Sequence, residues 1–377
     1  MTTPALRLSR SIVGQAEADA VSRVILEDGY LGMGNEVKRF EEDIAAYLGV
    51  PAQNVVTANT GTAALHLAVQ AAVQPGAEVL VQSLTFVASF QAISGAGAVP
   101  VACEALPETC TIDLADAERR LTERTAAIMP VHYASNPAGL DGVYAFAHKH
   151  GLRVIEDAAH AFGCLHDGRM IGTFGDIACF SFDGIKNITS GEGGCIVTAD
   201  QTVAQLCRDA RLLSVANDTE KRFSGQRSWD FDVTRQGWRY HMSNIMAAIG
   251  RVQLARLPGE FAPARMRLTA RYRQRLAGAP HLALLTTDPR DVVVPHIFPV
   301  RILDDKKHHV VDALQAKGIP TGMHYKPNHL LTYYGGGAQS LPVTEMLGSQ
   351  LTTLPLHPGM SDADVDLVCD ALLEALA

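Results

Sequence analysis

Two residues of opposite charge, Asp157 and Lys186, are the first candidates for chemistry in this chain of 377 residues. Asp157 ends the apolar segment LRVIED (152–157), and ligands of open α/β sheets bind outside the carboxyl ends of the strands. A carboxylate in such a crevice needs a cation or hydrogen-bond donors, although Asp157 could equally cap the following helix. Lys186 follows the segment IACFSF (177–182) by a short turn. A lysine in a confined apolar site becomes a nucleophile, and exposure on a loop is the alternative.

A phosphate site and a ring-packing side chain are predicted after two other strands. The segment Thr60-Gly61-Thr62-Ala63 opens a helix, and free N–H groups with a hydroxyl at a helix N-terminus bind phosphate; Thr60 could also act as a simple N-cap. Phe86 could stack on a planar ring or pack in the core. Lysine, carboxylate, phosphate cup and flat packing are together what pyridoxal phosphate (PLP) requires for its Schiff base, pyridine nitrogen, phosphate and ring.

Other motifs for cofactors and nucleophiles are absent from the sequence. It contains no GxxxxGK[ST], HExxH or GxSxG, and the Gly-x-Gly pairs at 32–34 and 95–97 lack the third glycine of a dinucleotide turn. His160, Cys164 and His166 do not have the spacing of a common zinc site. We therefore expect no metal.

The elements that would position these residues alternate between strands and helices. Short apolar runs at 55–58, 78–83, 126–133, 152–157, 177–182 and 194–199 are separated, up to residue 157, by helix-like segments. This rhythm predicts an α/β fold with a mainly parallel sheet covered by helices on both faces.

The rhythm changes near residue 250, where a long helical pattern leads away from the sheet. The remainder predicts a smaller α+β unit, with a strand-like segment at 291–302 and a helix at 308–318. Its last helix begins with a capping box formed by Ser361 and Asp364. We expect a large domain over 1–250 and a small domain over 251–377.

Composition excludes several classes of protein. Lys plus Arg number 32 and Asp plus Glu 40, so a net charge of −8 without a basic block argues against partners such as nucleic acid or anionic membranes. No apolar run reaches the ~18 residues that span a bilayer, and the segment MTTPALRLSRSIVG lacks the apolar core of a signal peptide. Seven cysteines without a CxxC pair are typical of reduced core thiols. We expect a soluble, cytoplasmic protein.

The chain resembles the DegT/DnrJ/EryC1/StrS family of PLP-dependent aminotransferases, which act mostly on nucleotide-linked sugars. The resemblance covers nearly the whole chain, and its most specific motif carries Lys186. The matching segments are LGMGNEVKRFEEDIAAYLGV, NTGTAALHLA, SLTFVAS, PVHYASNPAGLD, VIEDAAHAFG, FSFDGIKNITSGEGG, GWRYHMSNIMAAIGRVQL, GIPTGMHYKPNH and LPLHPGMS. It implies PLP fold type I, as in aspartate aminotransferase, and a homodimer with active sites at the subunit interface.

The resemblance also implies roles for single residues. Lys186 would form the Schiff base and later act as general acid and base, and Asp157 would pair with the pyridinium nitrogen. Phosphate ligands would come from the segment Gly61–Ala63 (Thr62 and the N–H of Ala63) and from Ser181. Phe86 and His160 would pack on opposite faces of the ring.

Two departures from the family pattern concern His160 and Arg239. Many relatives have Gln in place of His160, whose protonation could add pH sensitivity. Relatives often read GYNYR where this chain reads GWRYH (237–241), so Arg239 would replace the Asn that reaches the partner subunit's cofactor phosphate. Two further segments match the family's sugar-nucleotide cleft, and they carry Tyr30, Gly32, His324, Tyr325 and His329, which could also pack there without touching substrate.

The resemblance therefore predicts an aminotransferase that takes its amine from L-glutamate through pyridoxamine phosphate. The acceptor would be a nucleotide-linked 4-keto-6-deoxyhexose, on dTDP or another carrier, feeding polysaccharide or antibiotic glycan synthesis. A 3-keto sugar, a pyridoxamine-dependent sugar dehydratase and a non-catalytic cofactor-binding regulator are the alternatives. Dehydratases of the family carry His at the Schiff-base position, so Lys186 favours transamination.

Overall fold

A seven-stranded sheet forms the centre of the computed structural model, which describes residues 6–377. Its strands, in chain order, are β1 (Val55–Ala58), β2 (Glu78–Gln82), β3 (Val99–Cys103), β4 (Thr125–Met129), β5 (Arg153–Asp157), β8 (Ile177–Ser181) and β9 (Gly194–Thr198). A separate small hairpin of β6 (Leu165–His166) and β7 (Arg169–Met170) lies between β5 and β8 in the sequence. Across the sheet the order is β1, β9, β8, β5, β4, β2, β3.

Strand direction brings the predicted site residues to one edge of this sheet. Strands β3, β2, β4, β5 and β8 are parallel, so the ends of β5 and β8, at Asp157 and Ser181, lie on the same side. Strand β9 is antiparallel to both β8 and β1, pairing Gly194 with Ser181 and with Ala58. The carboxyl end of β1, which leads into Thr60, therefore meets the same edge.

The strands are buried because helices cover both faces of the sheet. All five residues of β2 (EVLVQ) are buried, as in other parallel strands that are covered on both sides. Side chains alternate between the faces, so Val79 and Val81 pack in one core and Leu80 in another.

The helices divide between these faces. One core contains side chains of the helices at 61–72, 87–95 and 201–210, and the opposite face packs against the helices at 35–48, 114–119, 140–150 and 244–256. In chain order the helices are α1 (Gln15–Arg23), α2 (Asn35–Leu48), α3 (Gly61–Ala72), α4 (Val87–Gly95), α5 (Leu114–Arg119), α6 (Leu140–His150), α7 (Gln201–Ala210), α8 (Asp218–Phe223), α9 (Asn244–Arg256), α10 (Ala262–Leu276), α11 (Lys307–Ala316), α12 (Pro342–Gln350) and α13 (Asp362–Leu376).

A second, three-stranded sheet lies in the C-terminal part of the chain. It has β11 (Phe298–Ile302) between β10 (Leu282–Leu284) and β12 (Leu351–Leu354). Helices α10, α11 and α13 share its core, which contains Tyr272 and Leu372. The predicted capping box begins α13, because Ser361 Oγ accepts from the Asp364 N–H and the Asp364 carboxylate accepts from the Ser361 N–H.

The structure contains a strand at every segment where the sequence predicts one, but it also differs from the prediction. The bounds of β1 are those predicted and α3 begins directly after Thr60 as predicted, whereas the segment 291–302 forms a strand only from Phe298 onward. Residues 292–297 have no ladder partner except an isolated bridge at Val292. Strand β3, at the edge of the large sheet, was not predicted, and neither were the short strands β6, β7, β10 and β12.

The cysteines occupy core positions, as their irregular spacing indicates. All seven are buried and none is in a disulfide. Between residues 6 and 377, the helices are too short or too polar to cross a membrane.

Candidate active site

A cavity of about 390 Å³ lies at the edge where β1, β5 and β8 end. Nine of the predicted site residues line it, namely Gly61, Thr62, Phe86, Asp157, His160, Ser181, Lys186, His324 and Tyr325. A larger groove of about 710 Å³ lies between α1, α2 and α9, where Arg251 is paired with Glu36 and Asp43. We assign the site to the smaller cavity, because the chemistry-bearing residues of three strand ends meet there.

Asp157 is a buried carboxylate at the end of β5, and no cationic side chain among residues 6–377 forms an ion pair with it. Its Oδ2 accepts a hydrogen bond from Ser89 Oγ at 2.6 Å and its Oδ1 accepts from the Ala159 N–H at 3.2 Å. Asp157 has no ion pair with any residue of 6–377 within 4.0 Å. Burial raises the pKa of this carboxyl group, and the two hydrogen bonds and the charge of Lys186 oppose that rise. A pyridinium nitrogen would supply the missing charge and favour the ionised form.

Lys186 is held at the cavity by a tight turn after β8. The N–H of Lys186 donates to the Asp183 carbonyl at 3.1 Å, and the N–H of Ile185 donates to the Asp183 carboxylate at 3.2 Å. Burial is the main cause that lowers the pKa of the Lys186 amine to about 8, against the opposing charges of Asp157 and Asp183. A lysine with this pKa has an appreciable neutral fraction near neutral pH, which a nucleophilic amine requires.

The phosphate end of the cavity is built from backbone and hydroxyl groups. Thr60 caps α3 by accepting the Ala63 N–H at 2.9 Å, which uses the N–H that the resemblance assigns to phosphate. The N–H groups of Gly61 and Thr62 have no acceptor within residues 6–377. A methyl group on Gly61 would lie 2.6 Å from Ser181 Cβ, so glycine is needed for α3 to approach β8. This cradle fits a phosphate group.

Aromatic side chains form the walls of the cavity. His160 Nε2 lies 3.0 Å from the Tyr325 hydroxyl, and the rings of Phe86 and Tyr325 are 5.5 Å apart. Phe86 is 54% exposed, which favours a surface for a ligand over a core position. Burial lowers the pKa of His160 well below its usual range, so its ring is neutral near pH 7 and the suggested pH sensitivity is not expected there.

The other predicted residues do not line this cavity. His329 is buried between Ser83 Oγ, 2.8 Å from its Nδ1, and Glu345, 3.3 Å from its Nε2. The carbonyl of Tyr30 accepts from Asn244, and its buried hydroxyl has no partner among the described residues. Ala63, Gly32 and Arg239 also lie outside the lining. Their predicted roles stay predictions.

Sequence reasoning missed His296, whose Nε2 lies 3.4 Å from Lys186 Nζ. His296 interrupts the apolar run VVVPHIFPV, and a histidine in such a run was the one available signal. It also missed Ser89, which holds Asp157, and Asp183 and Glu192, which line the cavity.

Comparison with known proteins adds independent findings. The sequence model of the DegT/DnrJ/EryC1/StrS aminotransferase family matches residues 12–373. A dTDP-4-dehydro-2,3,6-trideoxy-D-glucose 4-aminotransferase of Saccharopolyspora spinosa is 34% identical over 375 residues, covering 98% of this chain and 97% of that protein.

Solved structures of similar proteins share the fold over almost the full chain. The aminotransferase TlmJ from Streptoalloteichus hindustanus superposes with a TM-score of 0.91 at 32% identity, covering 99% of each chain. DesV from S. venezuelae, solved in complex with a ketimine intermediate, has a TM-score of 0.88 at 32% identity and covers 99% of this chain and 98% of its own. The predicted fold type I is thereby confirmed.

Proposed function

The chain belongs to the DegT/DnrJ/EryC1/StrS aminotransferase family, and from this premise we propose that it moves an amino group from L-glutamate to a nucleotide-linked keto-deoxysugar. It is an enzyme, and its cofactor is PLP. The acceptor we propose is a 4-keto-6-deoxyhexose on dTDP or another nucleotide. The relative from Saccharopolyspora spinosa, which is named for 4-amination of a dTDP-linked deoxysugar, supports this choice.

One observation carries the proposal. A buried lysine with a lowered pKa and a buried carboxylate without an ion-pair partner among residues 6–377 line the same cavity, at the carboxyl ends of neighbouring strands. A structural role explains neither group, because burying a charge without a partner is costly. An amine-reactive cofactor with a cationic ring nitrogen satisfies both.

The residues that would hold the cofactor follow from the layout of the cavity. Thr62, Ser181 and the N-terminus of α3 would bind the phosphate, and Phe86 and His160 would pack on the ring. When bound, the cofactor would supply an electron-withdrawing ring that stabilises negative charge on the substrate carbon next to nitrogen.

Two side chains perform the proton work. The Asp157 carboxylate, fixed by Ser89 and the Ala159 N–H, stays ionised opposite a cationic ring nitrogen and keeps that nitrogen protonated. The Lys186 amine takes up the proton of the substrate carbon and returns it, because a pKa lowered to about 8 allows the amine to exchange a proton near neutral pH.

The test is the visible absorption spectrum of the purified protein with PLP. We expect a yellow band that glutamate bleaches and that one nucleotide keto-sugar from a panel restores, as in a ping-pong reaction. A band that glutamate leaves unchanged would point to another amino donor. Absence of a band would refute the role of Lys186.

The alternatives are separated by the product. A sugar with nitrogen at C3, located by NMR, would identify a 3-keto acceptor. A dehydrated sugar without ¹⁵N from labelled glutamate would identify a dehydratase. Cofactor binding without turnover of any acceptor would favour a regulator.

We also propose that the enzyme is a homodimer in the cytoplasm. The buried free cysteines support a reducing compartment. Trp229 and Phe231, in the segment before Arg239, are exposed in the single chain. Large apolar side chains at a surface support a subunit interface near Arg239.

Mixing the separately inactive variants Lys186→Ala and Arg239→Ala tests the shared site. If Arg239 acts on the partner subunit, a mixed dimer has one complete site, and random exchange restores about a quarter of wild-type activity. No recovery in verified mixed dimers would place Arg239 in its own subunit's site, and activity of Arg239→Ala on its own would place Arg239 outside the chemistry.

A further inference from the structure

We propose that His296 is a positioning residue that holds the ε-amine of Lys186 and so fixes where this amine takes up and releases its proton. The inference rests on the proposed function of Lys186 and adds a residue that neither the sequence motifs nor the comparisons assign. It is carried by the surroundings of the imidazole ring.

The ring of His296 has one polar contact within residues 6–377. Its Nε2 lies 3.4 Å from Lys186 Nζ, while its Nδ1 has no hydrogen-bond partner. The residue is 2% exposed, and its ring packs on His160 with 4.5 Å between ring centroids. Burying a polar ring costs free energy unless the ring makes a hydrogen bond, and for His296 that hydrogen bond is the contact with Lys186.

The backbone of His296 is fixed at both its N–H and its carbonyl group. The N–H donates to Ser135 Oγ at 2.9 Å, and the carbonyl accepts from Arg265 Nη1 at 3.0 Å. The same buried guanidinium donates to the carbonyls of Pro295 at 3.1 Å and Lys186 at 3.4 Å. One side chain of α10 therefore fixes the two segments that carry the ring and the amine relative to each other.

An imidazole acceptor suits an amine that changes its protonation state. Both an ammonium and a neutral amine have N–H groups to donate to Nε2, so the contact persists through the proton cycle. When the amine is neutral and donates to Nε2, its lone pair points away from the ring.

The charges around the pair favour a neutral histidine. Burial, aided by the charges of Lys186 and Arg265, lowers the pKa of His296 well below its usual range. Asp157 and Asp183 face Lys186, and their charges favour the ammonium form of the amine instead. His160 and His324 also face this group, and burial lowers the pKa of each. His296 thus acts as a fixed hydrogen-bond partner and does not itself transfer the proton.

Two matched amide variants test whether the position of the polar atom that contacts Lys186 matters, or only the presence of a polar group. In His296→Gln the amide reaches as far as Nε2, whereas in His296→Asn it ends near Nδ1. Because misplacement of a reacting group by about 1 Å can cost about 100-fold, we expect the Asn variant to lose between about 10- and 100-fold in kcat with glutamate. We expect its KM to stay within about threefold, and the isotope effect with 2-deuterated glutamate to rise. The Gln variant should stay within about threefold of wild type in kcat.

A second measurement does not depend on turnover. The rate at which the cofactor-free protein captures added PLP, followed by the visible band from pH 6 to 10, reports the reach of the free amine. We expect capture to slow about tenfold in the Asn variant at every pH and to be preserved in the Gln variant.

The outcomes separate this proposal from the function on which it rests. A wild-type protein without a visible band would refute Lys186 as the attachment site, and the role of His296 with it. A normal wild-type band with equal rates in the Asn and Gln variants would refute His296 alone. If the Asn variant does not fold, the Gln variant decides, since loss of capture and turnover in a folded Gln variant would contradict the proposal.

Discussion

Replacing Lys186 with methionine should stabilise the cofactor-free protein while abolishing its activity. Folding lowers the pKa of this amine from 10.5 to about 8, mainly by burial. One pKa unit corresponds to about 1.4 kcal/mol, so at pH 7, below both values, the buried amine costs about 3 kcal/mol of folding free energy. Methionine has a similar volume and no charge, so this cost disappears in the variant.

The stability gained by the Lys186→Met variant should decrease as the pH rises. Between pH 8 and 10.5 the unfolded chain holds the lysine proton more tightly than the native state, so wild-type stability rises with pH. The advantage of the variant should therefore shrink to about 2 kcal/mol at pH 9 and below about 1 kcal/mol at pH 10.

The assay is urea unfolding of cofactor-free wild type and Lys186→Met at equal protein concentration, repeated at pH 7, 9 and 10. Lys38→Met is the control, because the side chain of Lys38 is half-exposed and its removal should change stability by less than about 0.5 kcal/mol at every pH. A gain that does not fall with pH would contradict the assigned burial of the amine, and so would a variant no more stable than wild type.

Three further results are expected. Asp157→Asn should keep the visible band but slow the single-turnover reaction with glutamate by at least about 100-fold, because the ring nitrogen loses its ionised partner; a smaller loss would refute this role. Gly61→Ala should weaken PLP binding at least about tenfold in a titration, because the new methyl group would lie 2.6 Å from Ser181 Cβ, whereas Gly259→Ala, which meets no atom within 4 Å, should bind normally. His160→Gln should leave the shape of the pH–rate profile between pH 6 and 8 unchanged, because His160 is already neutral there; loss of an ionisation step would contradict its low pKa.

The sequence predicts the parts of the site that lie at the ends of regular elements. Asp157 ends a strand and Lys186 follows one, so alternation of apolar runs placed both at one sheet edge. Thr60 could be placed because an N-cap has a sequence signal, which the structure confirms.

His296 was beyond this reasoning because it lies in an extended segment without regular pairing. Residues 291–302 have the composition of a strand, but pairing begins only at Phe298, and composition alone cannot show where a partner strand stops. The domain boundary near residue 250 stays a prediction. Helix α9 runs across it, and Leu6 packs in the C-terminal core.

The three carbonyl contacts of Arg265 limit which chimaeras of this protein and a relative would keep a correctly oriented active site. The guanidinium belongs to α10, yet one of its acceptors is the carbonyl of Lys186, far earlier in the chain. A lysine at 265 could not span these acceptors with one planar group. A chimaera that joins the first part of this chain to the C-terminal part of a relative would contain Lys186 from this chain. The orientation of Lys186 would then depend on whether the relative supplies an arginine at the position of Arg265.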